Sequence, residues 1–589
     1  MSGICGWVTG KNSGIDPNEL DRMLAAINYR GDTTDRVITA HGAIGYRWWG
    51  NRPGKSPAIL RRGMHLVACA GTLVPRVEDP ATRLHELMVQ RDPNALASLD
   101  GAFAAVAWDA ERECLTLIRD PFGVRSLYYL EHQGAFFFAT ELKQLLALSS
   151  IRVEADPAAL HKYLTFSFVP GEDVPVKGIK RLMPGHIARL EKNNLSLQPY
   201  FTLRESIDER FREKREAIRF IRGAAEQAVA NRWNGESEVG VYLSGGIDSA
   251  AVALWLTQAN IKTRAFTLDF GEHNVEREQA ATIAQHLGID LTLVPASGGS
   301  IAPYFMDLVY KLDLPFGDAV TGPQFLLGRA ARQSGLAAVF NGEGGDQLFG
   351  GWSNKPMVAA SVYAGMYADD TREEMYLKSY HRFYGLENDL YTPEFAAAVG
   401  GPGQRRAHLL PYLYHEEHSK FLNRLRLADI ALKGSQNILP RAERIANAWG
   451  LDVRVPLFDR ALAEASFRLP PHLKLHGATE KYILKRILQK HLPRDIVWRR
   501  KYGMSVPVTD WLLNSELNDV VRDLLSPQSL KKRGYFQNPY IEKLLSGKND
   551  AHETRRRRIG ERLWCLAMLE AWLRVYIDGR GKSPMGGAA

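Results

Sequence analysis

The segment VGVYLSGGIDSAAVAL sets two glycines, Gly245 and Gly246, between a β-branched strand and a helix. That arrangement lets successive backbone N–H groups point at one spot, and with the positive end of the helix macrodipole they form a cradle for phosphate oxygens. Ser244 and Ser249 add hydroxyl donors, and the Asp248 carboxylate can hold a magnesium ion. No lysine follows the glycines, so this is not the GxxxxGKS/T loop. A second glycine-rich stretch, NGEGGDQLFGG at 341–351, follows a strand-like run at 337–340. Its Glu343 and Asp346 are costly to bury without cations or donors, which makes Asp346 the natural second magnesium ligand beside Asp248. A third stretch, WRRKYGMSVP at 498–507, puts Lys501 in a turn-prone cluster. Displacement at a phosphorus spreads negative charge over the equatorial oxygens, and a pre-placed ammonium lowers that barrier.

These residues need a scaffold. Beyond residue 205 the pattern reads as strand at 239–243, helix at 249–257, strand at 263–270, helix at 276–287 and strand at 290–294. Such alternation predicts a parallel sheet covered by helices. From about residue 429 onward helical patterns dominate. Before residue 195, short apolar segments alternate with turn residues; 115–118, 126–130 and 135–139 read as strands, and 17–27 and 141–148 as helices. The charged stretch LRESIDERFREK at 203–214 reads as a connector, which divides the chain into 1–205 and 206–589. The region 352–427 is rich in Tyr and His and follows a candidate site loop; packing is its simplest role, and a substrate-facing insertion is the alternative.

At 589 residues the chain is too long for one core. Its 45% hydrophobic and 24% charged content is that of a soluble globular protein. No apolar run approaches the roughly 20 residues that span a bilayer, and the start lacks a signal-peptide layout, so a cytoplasmic location without membrane contact is expected. The four cysteines form no CxxC pair, which argues against zinc and a disulfide framework. The net charge of +9 is diluted over a large surface, and the run Arg555 to Arg558 reads as a solvated helix face, so no direct nucleic-acid binding is expected.

SGGIDS resembles the pyrophosphate-binding loop of N-type ATP pyrophosphatases, and the whole chain resembles glutamine-dependent asparagine synthetases. INYRGDTTD, AIGYRWWG, LDGAFAAVAWD, RDPFGVRSLYY and FFFATELKQLLA look like that family's N-terminal segments, followed by YLTFSFVPGEDVP and GIKRLMPGH. SGGIDS, PFGDAV, NGEGGDQLFGG, IANAWGLDVRVPLFD and RRKYGM fall in order where its synthetase motifs lie. The resemblance implies an α+β N-terminal domain of four αββα layers, of the Ntn-hydrolase kind, joined to an α/β ATP pyrophosphatase domain with a helical extension. It puts Ser244, Gly245, Gly246, Asp248 and Ser249 on pyrophosphate and magnesium, Asp346 on magnesium, and Leu243 and Gly342 near the adenosine. Lys501 matches the lysine near the reacting phosphorus and Glu343 the carboxylate near the acyl-adenylate. The implied ligands are ATP and Mg2+, a carboxylate substrate and an amine or ammonia.

The N-terminal half departs from the pattern. Glutamine-hydrolysing members begin Met-Cys-Gly, and the processed cysteine attacks the amide while its own α-amino group acts as base. Here MSGICGW puts Ser2 in that place, and Cys5 lies three residues further into an expected strand without a free α-amino group. The family's NGE segment, which supplies the oxyanion hole, reads Ala70-Gly71-Thr72. Arg47 matches the arginine that binds the glutamine carboxylate and Asp79 its aspartate, a vestigial pocket with a lapsed glutaminase. Similar chains with an inactive first domain are β-lactam synthetases and the cyclases that close the macrolactam of lasso peptides, in which an amine of the same substrate attacks. The β-lactam branch usually carries tyrosine at the position of Glu343. The expectation is therefore an intramolecular cyclase acting on a peptide, working as a homodimer or beside a precursor-processing protein. The alternatives are amidation of aspartate with glutamine or ammonia, and a non-catalytic nucleotide-binding homologue.

Overall fold

The computed structural model describes residues 2–9, 15–50, 59–89, 95–273, 276–351, 356–359, 371–400, 403–499, 506–547 and 553–584. The first two hundred residues give β1 (Ser2–Thr9), β2 (Thr33–Thr39), β3 (Gly42–Trp48), β4 (Leu60–Arg62), β5 (His65–Val74), β6 (Asp100–Asp109), β7 (Cys114–Arg119), β8 (Tyr128–His132), β9 (Ala135–Ala139), β10 (Lys180–Arg181), β11 (His186–Glu191) and β12 (Asn194–Pro199). They form two six-stranded sheets, ordered β10-β8-β9-β1-β3-β2 and β12-β11-β7-β6-β5-β4, in which the strand pairs are antiparallel.

The period-two alternation of each strand decides which layer a side chain enters. On β1, Ile4 and Val8 join Ile44, Tyr46, Ala68, Val106 and Phe138 in the core between the sheets. Cys5 and Trp7 point the other way and pack on Leu20, Met23 and Leu24 of the helix Asn18–Ala25 and on Leu142 and Leu145 of the helix Leu142–Leu146. On β5, Leu66, Ala68 and Ala70 face inward, whereas Val67, Cys69 and Leu73 pack against Leu84 and Leu87 of the helix Pro80–Val89. The result is the αββα order of layers that the resemblance implied.

The second half carries a five-stranded parallel sheet, ordered β15-β14-β13-β16-β17, from β13 (Val239–Tyr242), β14 (Thr263–Asp269), β15 (Asp290–Pro295), β16 (Ala338–Phe340) and β17 (Asp452–Arg454). The helices Ile247–Gln258, Arg277–Leu287 and Thr321–Gln333 fall between its strands. The helix Ile247–Gln258 is apolar along nearly its whole length and buried from Ser249 to Leu256, so it shows no amphipathic stripe. Helices dominate beyond residue 429, as the pattern predicts, with β17 among them: DVR is too short to show a period, and its pairing with β16 is what makes it a strand. The connector at 203–214 is tied down. Leu203 and Phe211 are buried, and the Glu205 carboxylate accepts from Ser419 and Asn423. Among the described residues no helix is long and apolar enough to cross a membrane.

The two halves meet across a buried set of charges. Arg30, at the end of the short turn Asn28–Arg30, pairs with Glu141 and, at 2.8 Å, with Glu443. Arg444 reaches Glu141 at 3.2 Å and Asp313 at 3.3 Å; Lys143 pairs with both of those carboxylates, and Arg125 with Glu443. Burial alone raises a carboxyl pKa, but around Glu443 the guanidiniums of Arg30, Arg125 and Arg444 override it and hold that group down at about 2. An unfolded glutamate titrates near roughly 4.3. The stabilisation from Glu443 is therefore complete above roughly pH 5 and is lost as the pH falls toward 2. Glu443→Gln leaves Arg30 and Arg125 without their shared carboxylate. Urea unfolding at neutral pH is expected to show a loss of about 3–5 kcal/mol, with a shallower decline of stability on the acid side than in the parent.

Candidate active site

The strand β13 ends where the chain must turn sharply into the helix Ile247–Gln258. The Leu243 side chain is buried and its N–H continues the sheet onto Phe266 O at 2.9 Å. Gly245 has φ +67°, and a Cβ there would lie 2.7 Å from Glu276 O, so glycine is required on both counts. Ser249 organises the turn: its Oγ accepts from Ser244 N–H at 3.1 Å, lies 3.2 Å from Ser244 Oγ and donates to Gly246 O at 3.1 Å. Gly246 caps the helix, whose first turn carries Asp248.

The loop after β16 lies directly on this turn. A Cβ on Gly342 would sit 2.5 Å from Ser249 N, and one on Gly345 would sit 2.0 Å from Asp248 Oδ1. Glycine is what lets the second loop approach the first so closely. The short helix Gly345–Phe349 then presents Asp346 beside Asp248. Glu343 lies on the same loop, its N–H donating to Asn341 Oδ1 at 3.3 Å and its Oε1 accepting from Gln324 at 3.5 Å. Burial pushes the Glu343 carboxyl above its ordinary value; Arg441 pulls the other way, and Asp346 and Asp248 reinforce burial.

One residue at the centre was missed from the sequence. Lys481, 1% exposed, pairs with the Asp248 carboxylate and, at 2.8 Å, with Asp346 Oδ1. Burial alone would lower its pKa, but the two carboxylates hold it above the ordinary lysine value, so it is charged. It caps the helix Tyr482–Leu488 with φ +51°, an unusual backbone for a non-glycine residue. GATEKYILKRI has its glycine at Gly477, four residues before Lys481, and none at 481 to mark such a conformation; a lysine before an amphipathic run was the available signal, and it is a weak one.

These groups line a cleft of about 300 Å³, with Leu243, Ser244, Gly246 and Phe266 on one wall and Lys481 and Arg499 on another. An adjoining chamber of about 200 Å³ shares Asp248, Gly342, Glu343 and Asp346 and is closed by Asp318, Lys433 and Arg441. Asp318, from the PFGDAV segment, accepts from Arg441 at 2.6 Å, Asn437 at 2.8 Å, Ser167 at 3.0 Å and Arg382 at 3.2 Å. Through Arg382 the stretch 371–400 reaches the chamber wall. Lys501 lies outside the described residues.

Asp248 Oδ1 is buried without a hydrogen-bond partner among the described residues, and Asp346 stands beside it. Two carboxylates open to phosphate oxygens suit Mg2+, which takes one or two carboxylates and completes its shell from substrate and water. Among the described residues there is no group of three or more His, Cys, Asp or Glu placed to hold a metal by themselves.

In the first half, Ser2 is buried on β1 opposite Trp48, and Cys5 is enclosed, burial pushing its thiol far above the ordinary range. The Cys69 thiol is pushed up to about 12 by burial. Neither cysteine is a ready nucleophile. Arg47 donates to Gly31 O at 2.7 Å. Asp79 accepts from Ala81 N–H, Thr82 N–H and the Thr82 hydroxyl, capping the helix Pro80–Val89. Gly71 has φ +116° and faces Ala102 O so closely that a Cβ would lie 2.0 Å from it. The expected pocket residues thus have local structural partners.

The description of the asparagine synthase family matches residues 221–574, more than half of the chain, and that of the glutamine amidotransferase domain matches 83–201. "Asparagine synthetase [glutamine-hydrolyzing] 1" of Bacillus subtilis (strain 168) is 26% identical over 518 residues, 82% of this chain and 79% of that protein. "Asparagine synthetase [glutamine-hydrolyzing] 3" of the same organism is 24% identical over 614 residues, 93% and 96% of the two chains. "Amidase chyE" of Penicillium rubens is 31% identical over 283 residues, 44% of this chain and 40% of that one. With its αββα layers, its parallel sheet and the two interlocked glycine loops at the sheet's C-terminal edge, the chain belongs to the asparagine synthase family and is an ATP-dependent ligase.

Proposed function

We propose that this ligase activates a carboxylate as an acyl-adenylate and passes it to an amine of the same substrate without hydrolysing glutamine, as a macrolactam synthetase of the lasso-peptide kind. The observation that carries the reading is the convergence of Ser244, Asp248, Glu343, Asp346 and Lys481 on two joined chambers, set against a first half in which Ser2 stands in the place of the family's cysteine and Cys5 and Cys69 are buried. We place the division between the halves at residue 205/206.

ATP is a substrate in this reading. The backbone N–H groups of Ser244 to Gly246 and the helix N-terminus bind its phosphates, with Leu243 and Gly342 beside the adenosine. Asp248 and Asp346 would hold Mg2+, which when bound neutralises phosphate charge. The substrate carboxylate oxygen bonds to the α-phosphorus as the bond to pyrophosphate breaks, and the ammonium of Lys481, with Lys501, meets the charge that develops. The amine nitrogen then bonds to the acyl carbon, AMP leaves, and Glu343 accepts the amine's proton. A tethered amine needs no donor domain, since proximity replaces a delivered nucleophile. Arg382 pairs with Asp318 of the chamber lining, which supports a role for the 371–400 stretch in shaping that chamber.

The second reading, amidation of aspartate, is favoured by the names of the relatives, which are glutamine-hydrolysing asparagine synthetases. The two differ in the acid and the amine. Incubation with ATP, Mg2+ and a linear peptide bearing a free N-terminal amine and an Asp or Glu side chain is expected to release pyrophosphate and yield a product lighter by one water. Asp248→Ala is expected to lower pyrophosphate release by about 100-fold or more; undiminished release in that variant refutes the site assignment. Glutamine is expected to yield no glutamate with the full chain. Glutamate release that disappears in Ser2→Ala would favour the second reading.

A further inference from the structure

The position between Asp248 and Asp346 is where a divalent ion would sit, and in this structure the Lys481 ammonium lies there. It pairs with both carboxylates, is 1% exposed, and is fixed at its base: Lys481 O accepts from Lys485 N–H at 3.0 Å, and Tyr482 N–H donates to Lys474 O at 2.9 Å. Glu480 does not compete for it, because that carboxylate faces Lys485 at 3.2 Å. Two carboxylates brought this close repel each other, and one interposed cation relieves the repulsion. A metal ion that takes the same two carboxylates must expel a buried ammonium, which is costly unless the ammonium finds another anion. Ser244 to Gly246 line the same cleft as Lys481, and phosphates held there would supply that anion.

We propose that Lys481 stands in for the metal in the nucleotide-free protein and exchanges its carboxylates for phosphate oxygens when metal and nucleotide enter together. The inference rests on the reading of Asp248 and Asp346 as the metal ligands. It implies that free metal binds poorly, that nucleotide and metal each raise the other's affinity by the same factor, and that Lys481 is the source of that coupling. The lysine thereby discourages a metal-loaded site that has no substrate in it.

The test is Mn2+ binding to the full chain, read by electron paramagnetic resonance of the free ion, with and without a non-cleavable ATP analogue. The parent is expected to bind Mn2+ weakly alone and much more tightly with the analogue. Lys481→Met is expected to bind Mn2+ alone at least about tenfold more tightly than the parent, the opposed cation having been removed, and to show a smaller gain from the analogue. Lys481→Arg keeps the charge and is expected to resemble the parent. Circular dichroism melts establish that each variant is folded, and Mn2+ is expected to raise the melting temperature of Lys481→Met more than that of the parent. Folded Lys481→Met with unchanged or weaker Mn2+ binding overturns the proposal. Adding Asp346→Asn to Lys481→Met separates the two ideas. If tight binding disappears, the carboxylates are the metal site; if binding in the parent and both variants ignores Asp346, the site reading itself fails.

Discussion

The structure depends on a buried exchange of charge between its halves. Arg30 and Arg125 come from the β-rich half, Glu443 and Arg444 from the helix Leu439–Ala448, and Glu141 and Asp313 complete the set. None of these ions is near water, so each is tolerable only because the others are in place. The helix that carries Glu443 and Arg444 also carries Arg441, which holds Asp318 at the substrate chamber, and it leads into β17, whose Arg454 O receives Asn341 N–H at 3.1 Å. Docking of the two halves and the placement of the NGEGGD loop are thus joined through one helix and the strand after it.

Much of this was legible in the sequence. Val239 to Gln258 announced a strand, a turn and a helix because two glycines interrupt an otherwise continuous apolar run, and the strands at 115–118 and 135–139 fell where the alternation put them. Asp248, Glu343 and Asp346 were readable because carboxylates among glycines have few roles other than binding. The ion network was not readable. Arg30, Glu443 and Arg444 look like ordinary surface charges, and only tertiary pairing buries them. Lys481 was hidden for the same reason, with no glycine or proline to mark its left-handed backbone. β17 was lost to its brevity.

The first half shows how little the layered fold demands of the sequence. The αββα layers need only alternating apolar side chains, and those are intact from β1 to β9. Two residues matched to the family's glutamine pocket have local partners here: Asp79 caps a helix and one Arg47 N–H donates to a turn carbonyl. Meanwhile Arg30, in the segment that resembles the family's HRGPD, serves the docking network. The first half is thereby anchored to the second.

The two glycine loops touch where no side chain fits, Gly342 on Ser249 and Gly345 on Asp248. They are separated by almost a hundred residues of chain yet behave as a single mechanical part, like two halves of a clasp. A change in the backbone of either is felt at once by the other, so neither can drift alone. Substitutions are therefore accommodated more easily around the clasp, in the chamber walls, than within it.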